Sequence, residues 1–157
     1  MIIFPTKYKV LSKSVFKSGE FQIVPIRYRD RIAIMKWRNN QLCNLRQSNL
    51  LTKESQNYYF ENVISKLFDS QKPTQILFSY LKNDICIGYG GLVHIDWESK
   101  NAEISFLLDT KMSTKIPYNV LINILLPLIE KVAKCANFHK IYTYGYDINE
   151  FRFKPLI

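Results

Sequence analysis

Glycine is scarce in this chain, and its distribution is therefore informative. Of 157 residues only 5 are glycine, and Gly88, Gly90 and Gly91 lie inside one apolar segment, ICIGYGGLVHI at 85–95. Glycine within a strand marks a bulge, a bend, or the close approach of a ligand or another backbone. The sequence leaves two explanations open: the cluster makes room for bound molecules, or it relieves crowding beneath a helix that crosses the sheet.

Cysteine is also rare, and no apolar run is long. The 3 cysteines, Cys43, Cys86 and Cys135, are far apart, match no metal-ligand spacing and cannot all pair with one another. We therefore expect buried free thiols in a reducing compartment, the cytoplasm, and no metal site.

The most apolar stretch, residues 118–129, is shorter than the roughly 20 residues that span a bilayer, and the N-terminus shows no signal-peptide pattern. We expect a buried helix at 118–129 and no membrane association.

Acidic residues are outnumbered by basic ones, which gives a net charge of +9. Such a balance suits either nucleic acid or small anionic molecules that carry phosphates. The basic residues are spread along the chain, without a dense basic tract, a zinc-finger pattern or an aromatic ribonucleoprotein motif, so nucleic-acid binding is the less favoured alternative. With 47% hydrophobic residues, the chain has enough apolar side chains for one packed domain.

Apolar periodicity divides the chain into alternating helices and strands. The predicted elements are a strand at 21–26, a helix at 31–40, a helix at 53–68 capped by Thr52, strands at 74–81, 85–95 and 101–109, a helix at 117–135 and a strand at 139–146. Three antiparallel strands followed by a helical crossover make the last strand parallel to the one before it. The expected fold class is mixed α/β (α+β), with a mostly antiparallel central sheet and helices on both faces. Residues 1–20 form an N-terminal extension that adds a strand, a hairpin or a loose arm.

Four segments carry a family resemblance in their order and spacing: MKWRNN at 35–40, LTKESQNYYF at 51–60, ICIGYGGLVHI at 85–95 and NAEISFLLD at 101–109. Together they resemble the Gcn5-related N-acetyltransferase superfamily, in particular the branch of ribosomal-protein and sugar-amine N-acetyltransferases. The likeness covers residues 21–109 continuously and the chain to Tyr146 more loosely. It implies an acetyltransferase domain over 21–157, acetyl-coenzyme A as co-substrate, and a primary amine as acceptor. An amino sugar on a nucleotide carrier is the preferred acceptor, and a protein N-terminus is the competing one.

The resemblance also implies where the coenzyme binds. Its long arm would pair with a strand backbone, and its pyrophosphate would lie on the loop before the next helix. The corresponding residues are Phe106, Leu107, Leu108 and Asp109 on the strand, Ser113, Thr114 and Lys115 in the loop, and Asn149 after the last strand. The family's loop is rich in glycine, whereas DTKMSTKIPYN at 109–119 contains none. Binding of the pyrophosphate would then depend on hydroxyl, amide and lysine groups.

Two residues are candidates for the general base that removes the amine proton. Glu103 is the first choice, because the resemblance implies a glutamate at this place on the fourth strand of the family's fold. His94, near the end of the glycine-rich strand, is the second choice. Each could equally be a structural residue. The candidate substrate-binding residues are Arg38, Asn39, Arg46 and Tyr80.

The end of the chain departs from the family's pattern. The family continues past the strand at 139–146 with a helix and two more strands, whereas this sequence stops at Ile157. Three explanations stay open: a naturally short protein, a fragment, or a homodimer in which a second copy completes the sheet. The alternative function is a degenerate, non-catalytic relative that serves as a binding or assembly protein.

Overall fold

The described strands form one six-stranded sheet, in which strands that are adjacent in space also follow one another in the sequence. The computed structural model describes residues 3–41 and 49–143. The strands are β1 Phe16–Ser18, β2 Phe21–Pro25, β3 Ile76–Lys82, β4 Ile85–Asp96, β5 Asn101–Leu108 and β6 Lys140–Tyr142. All neighbours pair antiparallel except β5 and β6, which pair parallel. This confirms the predicted mixed, mostly antiparallel sheet and the parallel last strand.

Helices connect the strands at the predicted places. They are α1 Arg31–Asn40, α2 Lys53–Tyr59 continued by a π-helical turn at Phe60–Ile64 into α3 Ser65–Leu67, and α4 Tyr118–Cys135, with 3-10 turns at Tyr28–Asp30 and Thr110–Thr114. The predicted cap is present, because the Thr52 hydroxyl accepts a hydrogen bond from the Ser55 amide. Helix α4 packs against β1, β2 and β4, while α1 packs against α2 and β5. The π-helical turn has no counterpart in the sequence-based prediction.

The segment before β2 belongs to the same core as the rest of the sheet. Strand β1 pairs with β2, and the Tyr8 ring stacks on Phe68 with their centroids 4.0 Å apart. The Tyr8 hydroxyl donates to the Leu77 carbonyl at 2.7 Å and accepts from the Leu77 amide at 2.9 Å. Burial raises the pKa of this hydroxyl well above its usual range. Within the described residues 3–20, the chain therefore adds a strand, β1, which forms a hairpin with β2.

The glycine cluster is explained by neighbouring backbone. Gly90 and Gly91 have φ of +154° and +133°, values that side-chain-bearing residues rarely adopt. A Cβ on Gly90 would lie 2.0 Å from the Ser105 carbonyl oxygen of β5, and one on Gly91 would lie 2.2 Å from the Ile76 carbonyl oxygen of β3. The glycines at these two positions therefore allow β4 to approach its two neighbouring strands, a reason that neither explanation from the sequence had named.

Two cysteines are described, and both are free thiols. Burial raises the pKa of the Cys86 thiol to about 12. Partial burial also raises the pKa of Cys135, but hydrogen bonds from Ser12 and Lys13 outweigh it and lower that pKa overall. Cys43 lies outside the described residues. Within residues 3–41 and 49–143, no helix has the length and apolar character needed to cross a bilayer.

Candidate functional site

The two candidate bases lie next to each other, although nine positions separate them in sequence. The imidazole Nε2 of His94 lies 3.9 Å from the Glu103 carboxylate Oε1. The Glu103 side chain is 14% exposed, whereas that of His94 is 63% exposed. The contact arises because β4 and β5 form a hairpin and Val93 pairs with Glu103. The carboxylate is therefore shielded, and the imidazole beside it faces solvent.

Glu103 also lies at the last described pair between β5 and β6, where its register partner is Tyr142. Strand β5 continues for five more residues, Ile104–Leu108, past the described part of β6. The chain after Thr143 lies outside the described residues. Glu103 therefore marks the point from which the outer edge of β5 extends beyond the described part of its neighbour.

One backbone group on that outer edge already has a side-chain partner. The Asp109 amide donates to the Ile87 carbonyl of β4. Because backbone groups alternate in direction along a strand, the amide and carbonyl of Leu108, one residue earlier, point away from β4 to the outer edge. There the Leu108 carbonyl accepts a hydrogen bond of 3.1 Å from the side-chain amide of Gln41, which is 8% exposed. Sequence reasoning missed Gln41. The two residues are 67 positions apart, and a polar residue after a helix gives no signal for such a contact.

The loop after β5 forms hydrogen bonds among its own residues, 109–116. The Lys111 amide donates to the Asp109 carboxylate, and the Met112 amide donates to the Asp109 carbonyl. The amides of Lys115 and Ile116 both donate to the Met112 carbonyl. Pro117, at the N-cap of α4, has no amide hydrogen to offer. Four amides of this loop are thus already used inside the 3-10 turn and the residues that follow it.

A pocket of about 210 Å³ lies between α1, α2 and β4. Its polar end is formed by Arg38, whose guanidinium donates a 2.6 Å hydrogen bond to the Tyr89 hydroxyl. Since arginine only donates, the Tyr89 oxygen accepts and its own proton can be donated into the pocket. Burial raises the pKa of Tyr89, and the adjacent Arg38 partly offsets that rise. The other lining residues are Ile34, Leu51, Gln56, Tyr59, Phe60 and Ile64.

A family model described as "Acetyltransferase (GNAT) domain" matches residues 23–147. The chain belongs to the GNAT acetyltransferase family. This confirms the resemblance stated from the sequence, since the model covers the four motifs and extends through α4 into β6. Among curated protein sequences none matches this chain.

Solved GNAT structures share the fold at low sequence identity. A spermidine N-acetyltransferase from Vibrio cholerae, in complex with CoA and spermine, is 17% identical, with a TM-score of 0.66 over 85% of this chain and 76% of that one. A ribosomal-protein-S5-alanine acetyltransferase from Vibrio fischeri is 15% identical, with a TM-score of 0.67 over 92% of this chain and 82% of that one. At this identity the likeness concerns the fold.

The GNAT fold implies a coenzyme. Among the described residues, the edge of β5 fits its long arm, whereas the loop after β5 does not fit its pyrophosphate. The outer edge of β5 at Phe106–Leu108 runs past the described part of β6, which suits a pairing arm, although Gln41 already uses the Leu108 carbonyl. The glycine-free loop does not fit a pyrophosphate cradle of backbone amides, because those of Lys111, Met112, Lys115 and Ile116 are bonded within it. The exposed Lys115 side chain offers a cation instead.

Two predicted substrate-binding residues of this GNAT domain make hydrogen bonds to backbone groups. The Asn39 side chain donates to the Leu51 carbonyl at 3.0 Å and accepts from the Leu51 amide at 2.8 Å, which anchors the chain before α2. Tyr80 is 0% exposed, and its hydroxyl donates to the Ser105 carbonyl at 2.7 Å. A substrate contact through Tyr80 stays a prediction. Arg46 and Asn149 lie outside the described residues, and so does the edge that a second copy would complete.

Proposed function

We propose that this GNAT protein transfers the acetyl group of acetyl-coenzyme A to a primary amine. The proposal is supported most directly by Glu103, a 14% exposed carboxylate at the last described pair between the parallel strands β5 and β6. A shielded carboxylate at that point can take a proton from an amine that approaches the outer edge of β5. The two free thiols, Cys86 and Cys135, fit the reducing conditions of the cytoplasm, where acetyl-coenzyme A would be available.

The protein's contribution would be to position the amine and to accept its proton. Acetyl-coenzyme A supplies an acetyl group already activated as a thioester. Glu103 would remove one proton from the acceptor ammonium, directly or through water, so that the nitrogen lone pair becomes available. The C–N bond then forms and the C–S bond breaks. The nitrogen still carries one proton more than the amide product, and the departing thiolate would take it. Holding the amine in contact with the thioester would supply much of the rate.

The acceptor is proposed to be an extended molecule with an anionic group, preferably a nucleotide-linked amino sugar. Arg38 and Tyr89 provide the polar end of the pocket, and none of its described lining residues carries a carboxylate. Tyr89 pairs with Leu107, which lies four residues beyond Glu103 on β5. At about 3.3 Å per residue, the arginine end and the base are separated by about 13 Å along the strand. An acceptor with its anion and its amine at opposite ends fits this spacing.

Replacement of the proposed base gives the first test. Glu103→Gln keeps the size of the side chain and removes the basic oxygen, so kcat for acetyl transfer is expected to fall by about 10²–10⁴-fold. The measurement is thiol release from acetyl-coenzyme A in the presence of an amine acceptor. Glu98→Gln, at an exposed glutamate in the β4–β5 turn, is the matched control and should retain full activity. Equal activity of both variants would remove Glu103 from the mechanism.

A panel of acceptors tests the substrate class. UDP-glucosamine carries an amine and a diphosphate, free glucosamine lacks the diphosphate, spermidine is a polycation, and a peptide with a free N-terminus represents the protein acceptor. We expect UDP-glucosamine to be the best of these four. Arg38→Ala should raise its KM by about tenfold or more, as expected when a charged hydrogen-bond partner is lost. Arg29→Ala, at an exposed arginine, should not. Preference for spermidine would contradict the anionic-acceptor proposal.

A non-catalytic role is the second candidate, and the self-bonded loop after β5 favours it. If the loop at 109–116 cannot receive a pyrophosphate, the chain would keep the GNAT sheet without binding the coenzyme. Thermal unfolding with and without acetyl-coenzyme A separates the two functions. A ligand at a hundred times its Kd stabilises the folded state by about 2.7 kcal/mol, which raises the melting temperature measurably. An unchanged melting temperature at millimolar coenzyme would favour the binding or assembly role.

A further inference from the structure

His94 has a backbone conformation that distinguishes it from the rest of β4. Its φ is +47°, and the register between β4 and β5 shifts between Val93 and Asp96, which marks a β-bulge. Of the five described non-glycine residues with positive φ, His94 alone lies inside a strand. The others lie in turns or just after a helix, and they are Asn83, Asp84, Lys100 and Asn137. Bulges of this kind re-aim a side chain and are over-represented beside active sites.

The bulge aims the His94 ring at Glu103. The 3.9 Å between Nε2 and Oε1 is longer than a hydrogen bond, but a small rotation of an exposed ring would close it. Catalytic contacts are often loose before substrates bind. Because the Glu103 side chain is 14% exposed and that of His94 is 63% exposed, the pair connects a shielded carboxylate to solvent.

We propose that His94 is the outlet of a proton relay, in which Glu103 takes a proton from the acceptor ammonium and His94 passes it to solvent. The relay rests on the proposed acetyl transfer, since Glu103 receives no proton without an amine acceptor. His94 is a positioning residue that acts through Glu103 and does not touch the substrate. The outlet matters because a protonated Glu103 must lose its proton before it can serve the next acceptor.

The proton balance of the relay is simple. One N–H bond of the acceptor ammonium breaks, its electron pair stays on nitrogen, and an O–H bond forms on Glu103. That proton then moves from the carboxyl oxygen to Nε2 of His94, which restores the carboxylate and creates an imidazolium. The imidazolium releases one proton to water and returns to the neutral form. No oxidant, reductant or further reactant is needed.

Other titratable or charged side chains lie on the elements that carry or contact the pair. They are Cys86, Tyr89 and Asp96 on β4, Lys140 and Tyr142 on β6, and Arg31, Lys36 and Arg38 on α1, which packs against β5. Asp96 and Lys140 are exposed, so solvent and salt screen their effects. Within the described residues, His94 and Glu103 lie within ion-pair distance of each other, and the relay depends on this contact.

The first test replaces His94 by asparagine, which tolerates positive φ and cannot relay the proton. His94→Asn is expected to lower kcat by about tenfold, to change the acceptor KM by less than about twofold, and to regain most of its rate when imidazole is added to the buffer. Its pH profile should differ from that of the wild-type protein, which loss of a merely structural side chain would not cause. His139→Gln, at the other of the 2 histidines, is the matched control and should leave both the rate and the pH profile unchanged.

The outcomes separate the relay from the proposed function. If the wild-type protein is active and His94→Asn has the same kcat and pH profile, the relay is overturned and the proposed acetyl transfer is not. An inactive wild-type protein would overturn the proposed acetyl transfer and the relay together. A readout without coenzyme is also expected: in nitrogen NMR spectra, the Nε2 signal of His94 should move in Glu103→Gln while the His139 signals stay in place. An unmoved His94 signal would contradict the relay, because the ring and the carboxylate would then not interact.

Discussion

Substitution of Gly90 by alanine tests the structural account of the glycine cluster. The new Cβ would lie 2.0 Å from the Ser105 carbonyl oxygen and 2.6 Å from the Tyr80 hydroxyl, and φ at Gly90 is +154°. Overpacking against backbone costs roughly 1–3 kcal/mol, and an unfavourable backbone conformation costs a similar amount. We therefore expect a loss of about 3–5 kcal/mol in the free energy of unfolding, a large part of the stability of a typical domain. For a chain of this length, the melting temperature should fall by roughly 6–20 °C.

Alanine substitutions at two further glycines separate the energetic cost of the steric clash from that of the backbone strain. Gly19 has φ of +60°, and nothing lies within 4 Å of the position that a Cβ would occupy there, so Gly19→Ala should show strain alone, about 1–2 kcal/mol. Gly88 has an ordinary φ, but its Cβ would lie 2.6 Å from the Leu107 carbonyl oxygen, so Gly88→Ala should show the clash alone. Urea unfolding of the three variants measures these free energies. If Gly90→Ala is no less stable than Gly19→Ala, close approach of β5 does not explain the glycine at 90.

Further outcomes follow from the buried hydroxyl and the two thiols. Tyr8→Phe leaves the Leu77 amide without its partner and should cost about 1–3 kcal/mol in the free energy of unfolding, whereas Tyr58→Phe, at a side chain that is 66% exposed, should change it by less than about 0.5 kcal/mol. Equal effects of the two variants would contradict the assigned role of the Tyr8 hydroxyl. At pH 8, iodoacetamide should alkylate Cys135 much faster than Cys86, because burial raises the pKa of Cys86 to about 12 and leaves it almost entirely as thiol, whereas the pKa of Cys135 is lowered. Mass-spectrometric mapping over time measures both rates, and faster labelling of Cys86 would refute the reasoning.

The elements of the fold could be predicted because their signals are local. The apolar stripe of α2 with its Thr52 cap, the polar turn between β3 and β4, and the crossover from β5 through α4 to β6 each depend on neighbouring residues. The π-helical turn at Phe60–Ile64 was not predictable in this way, since its apolar stripe has the same spacing as that of an α-helix. Nor was the position of Tyr8, which depends on a contact with Leu77, 69 residues away.

The candidate site was only partly predictable, because its geometry depends on contacts between distant segments. Glu103 and Arg38 could be singled out by residue type and family resemblance. Their partners could not be predicted, because Tyr89 contacts Arg38 across 51 residues of sequence. The absence of glycine from the loop after β5 was visible in the sequence. Its consequence, a turn that uses its own amides, required the backbone path.

The most direct test of the central claim is to detect an acetylated product. Purified protein would be incubated with acetyl-coenzyme A and UDP-glucosamine, and the sugar nucleotide would then be analysed by mass spectrometry. The account predicts a product heavier by one acetyl group, formed by the wild-type protein and lost in Glu103→Gln. Absence of this product, together with absence of acetylated glucosamine, spermidine and peptide under the same conditions, would contradict the assignment of an acetyltransferase activity.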